Sequence, residues 1–254
     1  MISRNNSLIR EALKLKQKKY RDEFKKFLIE GARFVEEAIR EKQAECIFYS
    51  KKFLQTKYKD ILSCDVKKYE VDEEVIKELS DTETPQGIVA VCKKKDFDLS
   101  FIKDFVVIVD GLQDPGNLGT IIRTCDAADV DALILLKGTV DAYNPKTLRS
   151  TMGSIFRVPM IYFDSFYDAI EFLKRNDFKI YATCLEASQF IYDYDFKEKT
   201  AIIIGNEASG IPYEHISLST YKVKIPMLGK AESLNAAVAS AVIIYEVVRQ
   251  RLTR

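Results

Sequence analysis

FVVIVDGLQDPGNLGTIIRTCDAADVDALILL, residues 105–136, decides the fold. It opens on an unbroken apolar run, FVVIVD (105–110), and closes on another, ALILL (132–136). Strands with no polar face need cover on both sides, which is the condition of a parallel sheet between helices. Between them, Asp-Pro-Gly-Asn (114–117) reads as a turn, followed by a helix beginning near Leu118. Strand, loop, helix, strand is the unit that builds parallel pairing. The rhythm continues outward through KIYATCL (179–185), AIIIG (201–205) and YKVKIP (221–226) as strands, with SFYDAIEFLKRN (165–176) as a helix. The predicted class is α/β, with a parallel sheet in the C-terminal domain.

Upstream the character changes. Leu8, Ile9, Ala12, Leu13 and Leu15 suggest a first helix, and FLIEG (27–31) a short strand. Ala32, Val35, Ala38 and Ile39 then recur at helical spacing, while CIFYS (46–50) and GIVAVC (87–92) read as buried strands. A charged stretch, KKKDFDLSFIKD (93–104), separates the two halves. The expected organisation is a small α/β domain over 1–95, a linker over 96–104 and a second domain over 105–254.

Composition narrows the function. Apolar residues make up 47% of the 254-residue chain and charged residues 30%, a balance typical of soluble domains. No apolar run reaches the roughly 20 residues of a membrane span, and MISRNNSLIREALK (1–14) lacks a secretory core. A cytoplasmic protein is expected. Five scattered cysteines without a CxxC pair argue against a disulfide framework and against structural zinc; they are expected to be buried free thiols. His215 is the only histidine, so chemistry needing two is excluded, and no metal is expected. Net charge is only +1, yet residues 1–26 hold nine Lys/Arg against three acids. Lys14, Lys18, Lys19 and Arg21 are candidate contacts to the phosphates of a polyanion; the alternative is a solvated helix face.

Three loops follow three strands, and ligands of open α/β sheets bind beyond the carboxyl ends of strands. In DGLQDPGNLGTIIRTCDAADV (110–130), Asn117 either caps the helix or faces a ligand. Arg123, six positions on, either forms a surface ion pair or reaches the same space. In AIIIGNEASGIP (201–212), Gly205 permits close approach of a ligand to backbone, and Glu207 sits in a turn closed by Gly210 and Pro212. In KIPMLGKAESLNAAVAS (224–240), Ser233 and Asn235 precede a helix and serve as caps or as site residues. That helix is apolar almost all round over Ala236–Val248, so it requires cover on more than one side, and a homodimer is predicted through it.

Together, NLGTIIRTCDA, IIGNEASGIP and IPMLGKAESLNAAVA, in this order, resemble the SpoU (TrmH-like) family of RNA ribose 2′-O-methyltransferases of the SPOUT superfamily. The resemblance spans about residues 104–250. ETPQGIVA (83–90) more weakly resembles the small RNA-binding domain that often precedes it. The resemblance implies a deep trefoil knot, a homodimer, and S-adenosylmethionine held by Thr183, Gly205, Asn206, Ile225, Met227 and Leu234. It implies catalytic roles for Asn117, Arg123, Glu207, Ser233 and Asn235, with Arg123 at the ribose hydroxyl as a base or as an orienting cation. The expected substrate is RNA, with large-subunit ribosomal RNA favoured over tRNA. A non-catalytic RNA-binding protein of the same fold is the remaining alternative. No G-x-G-x-x-G follows FVVIVD and no G-x-x-x-x-G-K-[ST] occurs, which removes nicotinamide-linked and nucleotide-hydrolysing enzymes.

Overall fold

The computed structural model describes residues 2–253. The chain divides into two compact units. One runs to Asp96 and takes in Tyr143–Arg157; the other joins Phe97–Ala142 to the chain from Val158 onward.

In the first unit, α1 (Ser7–Lys14) and α2 (Lys18–Phe24) lead into β1 (Lys26–Glu30), α3 (Ala32–Arg40), β2 (Ala44–Tyr49), β3 (Lys67–Glu70), α4 (Glu73–Leu79) and β4 (Ile88–Lys93). The four strands lie in the order β1-β4-β2-β3, with β4 antiparallel to both its neighbours and β3 parallel to β2. Burial alternates along β1, so Phe27 and Ile29 face the core while Lys26, Leu28 and Glu30 are only half-buried. Helix α1 starts where the Asn6 side chain accepts the Leu8 amide, and it buries Ile9 and Ala12. Its exit corrects one expectation. Arg21 is only 5% exposed and donates to the Leu15 and Lys16 carbonyls at 2.9 and 2.8 Å. Those carbonyls lie where the chain leaves α1, so the guanidinium is committed to the backbone rather than offered to phosphate. Lys14, Lys18 and Lys19 are exposed: Lys14 and Lys19 lie over the Tyr20 ring, and Lys18 pairs with Asp22.

In the second unit, β5 (Phe105–Val109) is followed by α5 (Pro115–Ala127) and β6 (Ala132–Leu136). The chain then supplies α6 (Pro145–Thr151) to the first unit before continuing through β7 (Met160–Phe163), α7 (Phe166–Arg175), β8 (Lys179–Thr183), β9 (Gln189–Phe190) and β10 (Thr200–Ile204). It ends with α8 (Tyr213–Leu218), β11 (Tyr221–Lys224) and α9 (Ala236–Leu252). All seven strands pair in parallel, in the order β7-β6-β5-β10-β8-β11-β9. Every residue of β5, β6 and β10 is buried, as their unbroken apolar runs require. Phe97 and Ile102 pack against this core, so most of the stretch read as a charged linker is part of the second unit.

Within the first unit, Arg149 of α6 approaches Glu30 and Asp81, Arg157 pairs with Glu37, and the Tyr143 ring lies 4.7 Å from that of Phe27. In the second, α9 is tied down at its far end. Gln250 Oε1 accepts the Phe196 amide at 2.9 Å, and Arg251 donates to the carbonyls of Phe196, Asp104 and Glu198. One face of α9 stays open, with Val238 50% and Tyr245 49% exposed. Among the described residues, no helix is long and apolar enough to cross a membrane.

Candidate active site

β10 lies between β5 and β8 in the parallel sheet, so the turns leaving these strands emerge at one edge. Helix α5 begins earlier than its composition suggests. Asp114 is the cap, accepting the Asn117 amide at 2.8 Å, and Pro115 occupies the first helical position, where its missing N–H costs nothing. Asn117 is therefore not the cap, and its side chain is free for other work. Its Nδ2 donates to Glu207 Oε1 at 3.0 Å, while its Oδ1 accepts from Asn235 Nδ2 at 2.9 Å. The other end of the Asn235 amide caps α9, accepting from the Ala237 and Val238 amides at 2.9 and 3.3 Å. Asn235 thus caps a helix and joins the site at once, because an amide has two chemically different ends.

Glu207 is the centre of this arrangement. Besides Asn117, it accepts the Gln113 amide on Oε2 at 3.0 Å and the Asp114 amide on Oε1 at 2.9 Å. Partial burial pushes its carboxyl up, but the bonds from Asn117, Gln113 and Asp114 outweigh that and hold it below the usual carboxylate range. It stays ionised at neutral pH. Next to it, Asn206 Nδ2 donates to the Gly111 carbonyl at 2.9 Å, and Asn206 Oδ1 accepts the Ala208 and Ser209 amides. The turn closes on itself through paired backbone bonds between Asn206 and Gly210. Gly205 is needed here for a reason the sequence reading missed. A Cβ on it would lie 2.5 Å from the Gly210 carbonyl carbon and 2.6 Å from the Ile211 nitrogen. The close approach is the chain's own returning backbone.

Beside these turns lies a cavity of about 360 Å³. Thr183, Gly205, Asn206, Ile225, Met227 and Leu234 all line it, as do Glu207 and Ser233. Ser233 is exposed and has no hydrogen-bond partner among the described residues, so it is not a cap. Asn117 and Asn235 stand outside the lining, joined to it through Glu207. Arg123 is exposed on α5, outside the lining, with no ion-pair partner among the described residues; the surface ion pair weighed for it does not form. Sequence reasoning passed over Cys184, Leu185 and Glu232, which also line the cavity. Cys46, Cys92 and Cys125 are buried free thiols, whereas Cys64 and Cys184 are half-exposed.

The volume suits a nucleoside-sized ligand. Neutral walls from Gly205, Ile225, Met227 and Leu234 suit a flat heterocycle, and the carboxylates of Glu207 and Glu232, against the single cation of Lys224, leave a negative balance that suits a cationic group such as a sulfonium. The residues therefore fit S-adenosylmethionine. Among the described residues, no group of three His, Cys, Asp or Glu side chains is placed to hold a metal ion.

Comparison with known proteins identifies the family. The model of the SpoU rRNA Methylase family matches residues 104–245, and that of the MRM3-like substrate binding domain matches residues 6–90. The 23S rRNA (guanosine(2553)-2′-O)-methyltransferase RlmP of Bacillus subtilis (strain 168) is 37% identical over 243 residues, covering 96% of each chain. The 23S rRNA (uridine(2479)-2′-O)-methyltransferase of Streptomyces viridochromogenes is 36% identical over 180 residues, covering 67% of this chain and 63% of the relative. The crystal structure of the SpoU methyltransferase AviRb from Streptomyces viridochromogenes in complex with AdoMet aligns with a TM-score of 0.89 at 30% identity, over 98% of this chain and 99% of that one. With family model, relatives and fold in agreement, the chain belongs to the SpoU rRNA methylase family.

Proposed function

We propose that the protein methylates a ribose 2′-hydroxyl of large-subunit ribosomal RNA, with S-adenosylmethionine as donor. The observation that carries this is the hydrogen-bonded chain Glu207–Asn117–Asn235, which joins three turns at the edge of one cavity. Ribosomal RNA is favoured over tRNA because the match to the RlmP relative extends through the N-terminal unit as well as the C-terminal one. A cytoplasmic location, with the ribosome, belongs to the same reading.

When bound, the donor supplies a methyl group on a sulfonium that leaves readily, so the protein's task is alignment. Thr183, Gly205, Asn206, Ile225, Met227 and Leu234 hold its adenosine end. Glu207 keeps the turn rigid and negatively charged beside the cavity. Asn117 and Asn235 fix the ends of α5 and α9, and Ser233, exposed in the lining, offers its hydroxyl to the sugar. Arg123 is exposed on α5, and in this reading it meets the incoming strand. A guanidinium holds its proton tenaciously, so its role is to orient the hydroxyl and stabilise the negative charge that develops there.

Lys14, Lys18 and Lys19 serve as phosphate contacts in this reading, without Arg21. The C-terminal chain is threaded as a trefoil knot in this reading, as membership of the family implies. A second copy covers the open face of α9, supported by the exposure of Val238 and Tyr245 beside the half-buried Ala241, Val242 and Val248.

Arg123→Ala is expected to bind S-adenosylmethionine within about twofold of the parent by calorimetry, yet to lose about a hundredfold or more in tritium transfer. Unimpaired transfer removes Arg123 from the mechanism. Neutralising Lys14, Lys18 and Lys19 together should weaken RNA binding and flatten its dependence on salt by up to about three units of slope; an unchanged slope excludes that patch. Light scattering at micromolar concentration should give a dimer mass, and Tyr245→Asp should shift it toward the monomer. A monomeric parent contradicts the α9 seam.

A further inference from the structure

The only histidine in the chain is absorbed by nothing described so far. His215 lies on α8, directly after the turn formed by residues 205–212. Its Nδ1 is 2.6 Å from Asp110 Oδ2, and its ring lies 3.7 Å from Phe166, tilted by only 9°. Asp110 is 7% exposed and follows the last residue of β5, where its amide donates to the Ile204 carbonyl at 2.8 Å. A buried carboxylate with a histidine against it, at the carboxyl edge of the sheet, is a costly arrangement to maintain without a purpose.

Its position supplies the purpose. The turn is attached to the end of β5 on both sides. On entry, the Asn206 side chain donates to the Gly111 carbonyl at 2.9 Å. On exit, His215 meets Asp110, the residue immediately before. Two consecutive residues, Asp110 and Gly111, thus hold the two ends of a segment that contributes Gly205, Asn206, Glu207, Ala208 and Gly210 to the cavity wall. Glu207 adds the third attachment, to Gln113, Asp114 and Asn117. Remove the exit attachment, and the turn keeps only its entry bond and the bonds to Glu207, leaving the stretch from Gly210 onward without a side-chain bond to β5.

We infer that Asp110 and His215 form a positioning pair that fixes the exit of the 205–212 turn and thereby sets the affinity of the cavity for its ligand. The inference rests on the reading that this cavity binds S-adenosylmethionine. The pair touches no reacting atom. His215 Nδ1–H donates to the carboxylate, and the Phe166 ring sets the plane in which it does so. Asp110, buried, gives that bond the strength of a charge-assisted one.

Two substitutions separate the bond from the ring. His215→Asn places an amide N–H near the position of Nδ1 and keeps the donor; His215→Phe keeps the stack on Phe166 and leaves Asp110 without its partner. Calorimetry with S-adenosylmethionine and steady-state kinetics on the full chain read both. His215→Phe should raise the dissociation constant and KM for S-adenosylmethionine by about tenfold or more, the loss of one charge-assisted bond, while kcat at saturating donor stays within about twofold. His215→Asn should recover most of that affinity. Because there is one histidine, its ring nitrogens can be read without assignment by 15N NMR. The parent should show the tautomer protonated at Nδ1, and its signal should move on titration with S-adenosylmethionine. If His215→Phe binds as the parent does, or loses only melting temperature, or if both variants lose affinity equally, the pair does not position the turn. If the parent itself fails to bind S-adenosylmethionine, it is the proposed function that falls.

Discussion

Three donors converge on the Glu207 carboxylate: the Gln113 and Asp114 amides and the Asn117 side chain. The rest of the site depends on that convergence. A carboxylate accepting several hydrogen bonds prefers its charged form, which is why this group is held below its usual range despite partial burial. The same bonds remove orphan donors from the entry to α5, where backbone amides point outward without helical partners. One side chain therefore finishes a helix, fixes a turn and places negative charge beside a cavity. Through Asn117 the constraint passes to Asn235, and so to the start of α9.

The sheet makes this possible. Parallel order puts every strand's carboxyl end on one edge, so turns from β5, β8, β10 and β11, remote in sequence, arrive together. The glycine at 205 is the tightest steric requirement among them. Its missing Cβ admits the backbone of residues 210–211, which closes the turn and presents Glu207 to the first loop. At the far end of α9, Arg251 and Gln250 secure the helix to the residues around the entry of β10. The helix is thus held at both ends, by Asn235 and by this clasp.

Strands whose every residue is buried were legible in the sequence, because covering both faces demands an unbroken apolar run: β5, β6 and β10 read directly. β3 was not, since its KKYE sequence sits at a sheet edge and half of it faces solvent. The start of α5 was misplaced because Asp-Pro-Gly fits a turn as well as it fits a cap followed by proline at the first helical position. The excursion of residues 143–157 into the first unit left no local mark, as it depends on long-range pairs such as Arg149 with Glu30. At the site, the second and third segments supply most of the cavity lining, because each forms one wall locally; Thr183 comes from the end of β8, and the first segment reaches the lining only through the bond from Asn117 to Glu207. The choice between cap and site role was undecidable locally, since Asn235 serves as both. Arg21 shows the reverse case: a cationic residue in a basic stretch, turned inward by two carbonyls that only the fold brings to it. The Asp110–His215 pair, 105 residues apart, had no sequence signal.

The central claim is that three turns act as one unit through Glu207. A double-mutant cycle on methyl transfer, with Glu207→Gln, Asn235→Ala and the two combined, tests it most directly. Residues sharing one network should couple by about 1–3 kcal/mol, so that the double variant is hardly slower than the worse single one. Losses that simply add would show that the turns function independently, and the account would be wrong.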